Sequence, residues 1–243
     1  MELLVGWVVF VIAGLVQGCT GFGMALVAAP CLMLTLPPTK AVPTIMLLSA
    51  ANTALVAFEA RRHIRLRLVG PLAAGSVTGM PLGIAALQVV DPTLLKVLVG
   101  GFVTFFSILL LSGWRKPIDN PRWTLLPVGL ASGFLGGSTS MGGPPVILFL
   151  ASQETPKDAF RGNISCFFLA GNCFGLALFV HKGLLNWSMG QQAAAFVPAM
   201  LLGTCIGVVL ARRTPEKFFR TAIMVGVAFM GLVLLSTNMA SLL

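Results

Sequence analysis

Charged residues are scarce in this chain: Asp, Glu, Lys and Arg together make up 9% of its 243 residues, against about 25% in a soluble domain. With 57% hydrophobic residues, too few polar side chains remain to cover a water-exposed surface. That excludes an ordinary soluble fold and points to a lipid bilayer as the solvent. The few acidic residues also avoid the middle of the apolar runs, so no Asp or Glu is placed as a proton relay across a membrane. His63 and His181 sit in loops with no second ligand nearby. Ser-His-Asp, HExxH and Walker-type patterns are missing, and Gly21-Phe22-Gly23 precedes no soluble βαβ unit. No enzyme class is indicated, and neither a cofactor nor a metal is expected. The five cysteines (Cys19, Cys31, Cys166, Cys173 and Cys205) lie in apolar segments without a CxxC pair, which reads as small buried hydrophobes and not as a disulfide or zinc framework.

The net charge of +9 raises the question of nucleic acid. The basic residues, however, form short clusters between apolar runs, with no basic face or domain to hold a duplex. Such clusters are what membrane loops carry under the positive-inside rule. The opening Met1-Glu2-Leu3-Leu4 lacks the basic region of a signal peptide and reads as the start of a first membrane segment.

What is present is a series of ten apolar segments, in an all-α polytopic membrane architecture. Five lie in the first half: Leu3–Gln17, Thr20–Leu36, Ala41–Glu59, Leu68–Val90 and Leu94–Ser112. Five lie in the second: Trp123–Leu135, Ser138–Ser152, Phe160–Val180, Met189–Ala211 and Phe218–Leu242. Between them the polar, two-proline stretch at 113–122 reads as a linker, dividing the chain into repeats at 1–112 and 123–243. Gly14-Leu15-Val16-Gln17-Gly18 returns as Gly129-Leu130-Ala131-Ser132-Gly133, and the segment ending at Asn52 returns as the one ending at Asn172. Gly79–Gly83 returns as Gly203–Gly207, and Asp91-Pro92 as Thr214-Pro215. Four weak matches in one order make an internal repeat.

Charge orients the repeats. With Arg61, Arg62, Arg65 and Arg67 on the cytoplasmic side, thirteen of the sixteen basic residues face the cytoplasm, leaving Lys40, Lys96 and Lys182 outside. Both termini are then non-cytoplasmic. Each half holds three clear crossings and one pair of short segments, an odd total that turns the second half over. Inverted repeats of this kind are a plan of secondary transporters, with substrate held near the midplane.

The short pairs are interrupted at Gly18-Cys19-Thr20-Gly21-Phe22-Gly23 and at Gly136–Pro145. Glycine runs and a Pro-Pro pair break helical hydrogen bonding, and unwound backbone at membrane depth survives only beside protein or a watery cavity. One reading is a pair of helix-break-helix hairpins whose N–H groups and hydroxyls face an anion. The other is that the glycines permit close helix packing. On the first reading the substrate ligands are Thr20, Gly21, Gly23, Ser138, Thr139, Ser140 and Gly142. Asn52 and Asn172, mid-helix at matching places, either join them or bond a neighbouring helix. Glu59 reads as a surface residue beside the arginine cluster, and Arg161 as a determinant of topology.

The run from Gly14 to Gly23, the Gly-Gly-Ser-Thr-Ser-Met-Gly-Gly-Pro-Pro run at 136–145 and the Lys157-Asp158-Ala159-Phe160-Arg161 helix start resemble the TauE/SafE sulfite exporter family over essentially the whole chain. The resemblance implies a bacterial-type inner-membrane permease for sulfite, sulfoacetate or another sulfur-containing organic anion, commonly moved outward. The expected function is therefore a transporter of a small anion working by alternating access. The alternatives are a channel-like anion pore or a non-transporting assembly subunit. The expected partners are that anion and the lipid bilayer, and a homo-oligomer is compatible with these features.

Overall fold

The computed structural model describes residues 2–59, 61–112, 121–153, 156–213 and 216–239. It is 89% helix, and the described residues contain no strand. Eleven α-helices are described: α1 (Glu2–Thr20), α2 (Met24–Thr35), α3 (Pro38–Glu59), α4 (Leu66–Val89), α5 (Pro92–Leu111), α6 (Pro121–Thr139), α7 (Gly143–Ser152), α8 (Lys157–His181), α9 (Trp187–Ala194), α10 (Val197–Arg213) and α11 (Glu216–Met239). A short 3₁₀ turn, Arg61–His63, carries part of the arginine cluster between α3 and α4.

Among the described residues the expected apolar segments are helical except at 21–23 and 140–142, near the starts of Thr20–Leu36 and Ser138–Ser152, and one of them is divided. The segment Met189–Ala211 is two helices, α9 and α10, bent by 47°. Pro198 sits in the first turn of α10, where its missing N–H costs nothing and its fixed φ suits a helix start. Residues 113–120 of the expected 113–122 linker lie outside the described residues, as do 214–215. Pro121 and Arg122 already belong to α6.

Length sorts the helices. α3, α4, α5 and α8 are long and apolar enough to cross a membrane, and α9 with α10 makes a fifth span if the bent pair is counted as one. The 22 residues of α3 reach roughly 33 Å at 1.5 Å per residue, enough for a hydrocarbon core of about 30 Å. The 12 residues of α2 and 10 of α7 reach only about 18 and 15 Å. These two helices are half-spans.

Four pairings organise the bundle: α4 with α6, α1 with α10, α5 with α11, and α3 with α8. Glycine makes the first two very close. Gly75, Gly79 and Gly83 on α4 face Leu126, Leu130 and Phe134 of α6, while Gly129, Gly133 and Gly137 on α6 face Leu72, Ser76 and Met80 of α4. A Cβ on any of these six glycines lies within 3.0 Å of a backbone oxygen of the partner helix. α1 and α10 interlock in the same way: Gly14 and Gly18 face Met200 and Thr204, while Gly203 and Gly207 face Val11 and Leu15. In lipid no hydrophobic drive pulls helices together, so dispersion at such close approach and interhelical hydrogen bonds do the work. The packing reading of the glycines therefore holds for these positions. Thr204 donates to Asn52 Oδ1 at 3.0 Å between α10 and α3, and Arg65 N donates to Asn163 Oδ1 at 2.7 Å, tying the start of α4 to α8.

The cysteines are all thiols: Cys19 is buried, Cys31 and Cys166 are half-buried, and Cys173 and Cys205 lie on the outer surface. Burial thus holds for some of them and not for the last two.

Candidate functional site

The interruptions are narrower than the glycine runs suggest: they comprise residues 21–23 and 140–142, while Gly136 and Gly137 stay helical. Each break is built alike. Gly21 N donates to Gln17 O at 2.7 Å and Ser140 N to Gly136 O at 2.9 Å, closing the last turns of α1 and α6. The next residue turns to a threonine: Phe22 N donates to Thr20 Oγ1 at 3.2 Å, and Met141 N to Thr139 Oγ1 at 3.3 Å. Those hydroxyls donate back into their own helices, Thr20 to Val16 O at 2.8 Å and Thr139 to Leu135 O at 2.7 Å. Positive φ at Gly21 (81°), Gly23 (100°) and Ser140 (60°) then reverses the chain. At Gly21 and Gly23 only the missing Cβ makes that conformation easy.

The reversal brings the N-termini of α2 and α7 to one cavity, which α1, α3, α4, α6 and α8 complete. It offers about 40 Å³ to the centres of water-sized molecules, where about 10–15 Å³ holds one water. That is room for a few waters or one small ion. The first helical bond of α2 is Val27 N to Gly23 O at 3.2 Å. The N–H groups of Met24, Ala25 and Leu26, all on the lining, therefore precede the helical ladder. α7 is poorer in donors, because Pro144 and Pro145 in its first turn have no N–H.

Side chains add to these donors. Several are already committed: Ser132 donates to Gly142 O, Ser140 to Val42 O at 3.1 Å, and the Asn172 amide to Ser49 Oγ at 3.2 Å and Thr53 Oγ1 at 3.3 Å. Ser49 accepts that bond, so its own proton remains for the cavity. The Gln17 amide and the Ser76 hydroxyl line the cavity at 2% exposure each and make no side-chain hydrogen bond among the described residues. Buried polar groups of this kind need a partner. The rest of the lining is largely soft and apolar, including Met24, Met46, Met80, Met141, Phe167 and Phe168.

Of the residues expected to bind substrate, Gly23, Ser140, Gly142 and Asn172 line the cavity together. The others are placed behind it. Thr20 and Thr139 close the breaks as described, and Ser138 donates to Phe134 O at 2.8 Å within α6. Asn52 is fully buried, accepting from Thr204 and lying 3.8 Å from Met24 Sδ. Gly21 is covered by Arg161, whose Nη2 donates to Gly18 O at 3.1 Å and to Glu59 Oε2 at 3.2 Å. Arg161 thus ties the end of α1 to the end of α3, and Glu59 is its ion-pair partner. Gln17, Ser49, Ser76 and Ser132 were not singled out from sequence. The signal for Gln17 was an amide one turn before a break; the serines carry none that separates them from ordinary helix serines.

A family model described as "Sulfite exporter TauE/SafE" matches residues 7–234. The chain is 26% identical over 211 residues to a protein of Cupriavidus necator described as "Probable sulfite/organosulfonate exporter TauE", a match covering 83% of this chain and 80% of that one. No solved structure matches it.

Proposed function

Because this chain belongs to the TauE/SafE sulfite exporter family, whose members are membrane transporters and not enzymes, we propose that it exports sulfite or a small organosulfonate across the inner membrane. The observation that carries this reading is the meeting of two helix N-termini at one cavity whose Gln17 and Ser76 side chains have no hydrogen-bond partner among the described residues. Helix N-termini attract anions through unpaired N–H groups and the aligned peptide dipoles. A sulfur oxyanion presents several acceptor oxygens, so it matches a cavity supplied with donors.

The pathway we infer is alternating access by two inverted repeats, residues 1–112 and 123–243, joined by a cytoplasmic linker at 113–122, with both termini outside. Several features support it. The breaks fall 119 residues apart, so Gly14, Gly18 and Thr20 align with Gly133, Gly137 and Thr139, one helical turn later than the glycine runs alone suggest. α1 and α6 have 19 residues each. The first helix of each half packs against the fourth span of the other, with α9 and α10 counted as one bent span: α1 on α10 and α6 on α4. Such crossed pairs can rock as rigid units about the breaks while the methionine wall re-packs.

The test is purified protein in liposomes loaded with sulfite. Saturable efflux, accelerated by sulfite on the far side, is the expected result. Flux that is linear in concentration and shows no counterflow contradicts alternating access, and no flux above empty liposomes contradicts transport.

A further inference from the structure

We propose that the cavity selects for a single negative charge: it takes monoanions such as hydrogen sulfite or an alkylsulfonate and rejects dianions of similar size such as sulfate. The proposal rests on the anion-site reading above and adds the charge state of what the site accepts.

The compensation available is at most about one positive charge, because α1 and α6 end at the same breaks and a helix C-terminus carries about half a negative charge. Each helix N-terminus carries roughly half an elementary charge, and two of them, α2 and α7, reach the cavity. No lining residue among those described, from α1, α2, α3, α4, α6, α7, α8 or either break, is Asp, Glu, Lys, Arg, His or Cys. The guanidinium behind the first break is not on the lining: Arg161 Nη2 holds Gly18 O and Glu59 Oε2, and its Nε is buried without a hydrogen-bond partner among the described residues. The side-chain donors that remain, on Gln17, Ser76 and Ser49, are neutral. Neutral donors replace water around an ion but cancel no net charge.

Desolvation decides between the two kinds of anion. The Born cost of moving an ion out of water grows with the square of its charge, so a dianion costs about four times as much as a monoanion of equal radius. The interaction with fixed dipoles grows only in proportion to the charge. A site with at most one compensating charge is therefore in far greater deficit for a dianion than for a monoanion. The thioethers of Met24, Met46, Met80 and Met141 sharpen the difference, because a polarisable apolar wall suits the substituent of an alkylsulfonate and offers nothing to a fourth charged oxygen.

The experiment is calorimetric titration of the purified full-length protein at constant ionic strength. Calorimetry is preferred to melting temperature because sulfate stabilises proteins non-specifically. The probes are methanesulfonate, a monoanion at every working pH, sulfate, a dianion, and sulfite, which passes from one to the other as pH rises through neutrality. Methanesulfonate is expected to bind with a pH-independent affinity, at least about tenfold tighter than sulfate. Sulfite affinity is expected to fall on the order of tenfold per pH unit above its second ionisation, as the monoanion is depleted. Gln17→Arg, which places a permanent charge on the lining, is expected to raise the sulfate-to-methanesulfonate affinity ratio by about tenfold or more.

Sulfate binding as tightly as methanesulfonate, or a sulfite affinity flat across its ionisation, overturns the charge selection while leaving an anion site standing. Absence of binding by all three overturns both readings. An unchanged ratio in folded Gln17→Arg also overturns it, and if that variant does not fold, the wild-type pH series decides alone.

Discussion

Replacing Gly79 by alanine tests the claim that glycine sets the spacing of α4 and α6. An added Cβ lies 2.9 Å from the carbonyl carbon of Leu130, nearer still to its oxygen, and 3.1 Å from its Cα. Carbon atoms prefer separations of about 3.5–4.0 Å. The obstacle is backbone, which has no rotamer to escape into, so the helices must part by about 1 Å along this stretch. Parting also loosens the contacts of Gly75 and Gly83 above and below, which lie on the same face. Overpacking of this kind costs about 1–3 kcal/mol, against a gain of about 1 kcal/mol from the better helix propensity of alanine. With the rigid obstacle placing the cost at the upper end, the net loss is about 2 kcal/mol, or about 4–8 °C in melting temperature for a chain of this size. Gly70, also on α4, is the control, because a Cβ there meets nothing within 4 Å. Gly70→Ala is expected to leave the protein unchanged or up to about 1 kcal/mol more stable. Thermal melts of the two variants in the same detergent provide the comparison. Equal melting temperatures refute the reasoning, and a stable Gly79→Ala with normal flux shows that the two helices need no such closeness.

Thr204→Val leaves Asn52 Oδ1 buried without its donor and should destabilise by about 1–2 kcal/mol, read from the same melts. Ser76→Ala should weaken methanesulfonate binding about five- to tenfold, the worth of one neutral hydrogen bond, without lowering the melting temperature, since Ser76 bonds no protein group. Gln17→Leu should do the same in calorimetry; tight binding by both variants removes them from the site. Ser138→Ala should keep near-normal sulfite efflux because that hydroxyl serves its own helix, whereas adding Ser140→Ala, which reaches the lining, should reduce it.

Much of the architecture was legible because a bilayer leaves a chain few choices. The apolar runs that became α3, α4, α5 and α8 announce themselves by length and composition, and a spanning segment must satisfy its own backbone as helix. The two breaks were visible in Gly21, Gly23, Pro144 and Pro145, though their limits were not. Gly136 and Gly137 look like unwinding signals, yet both stay helical, and at Gly137 the α4 backbone packs so closely that only a glycine leaves room. The bend between α9 and α10 had a sign in Pro198, which an unbroken hydropathy run concealed.

The lining of the cavity was a different matter. A serine in an apolar helix reads the same whether its proton goes to its own chain, as in Ser138, or faces a space between helices, as in Ser76. Asn52 and Asn172 look alike in sequence, but Thr204 of α10 takes one into a helix contact while the other reaches the cavity. Sequence alone determined that this is a bundle of apolar membrane helices with two interruptions, because burial in lipid and backbone satisfaction are local demands on each segment. Tertiary structure alone decided which polar groups keep a partner and which do not, because that depends on which helix lies opposite.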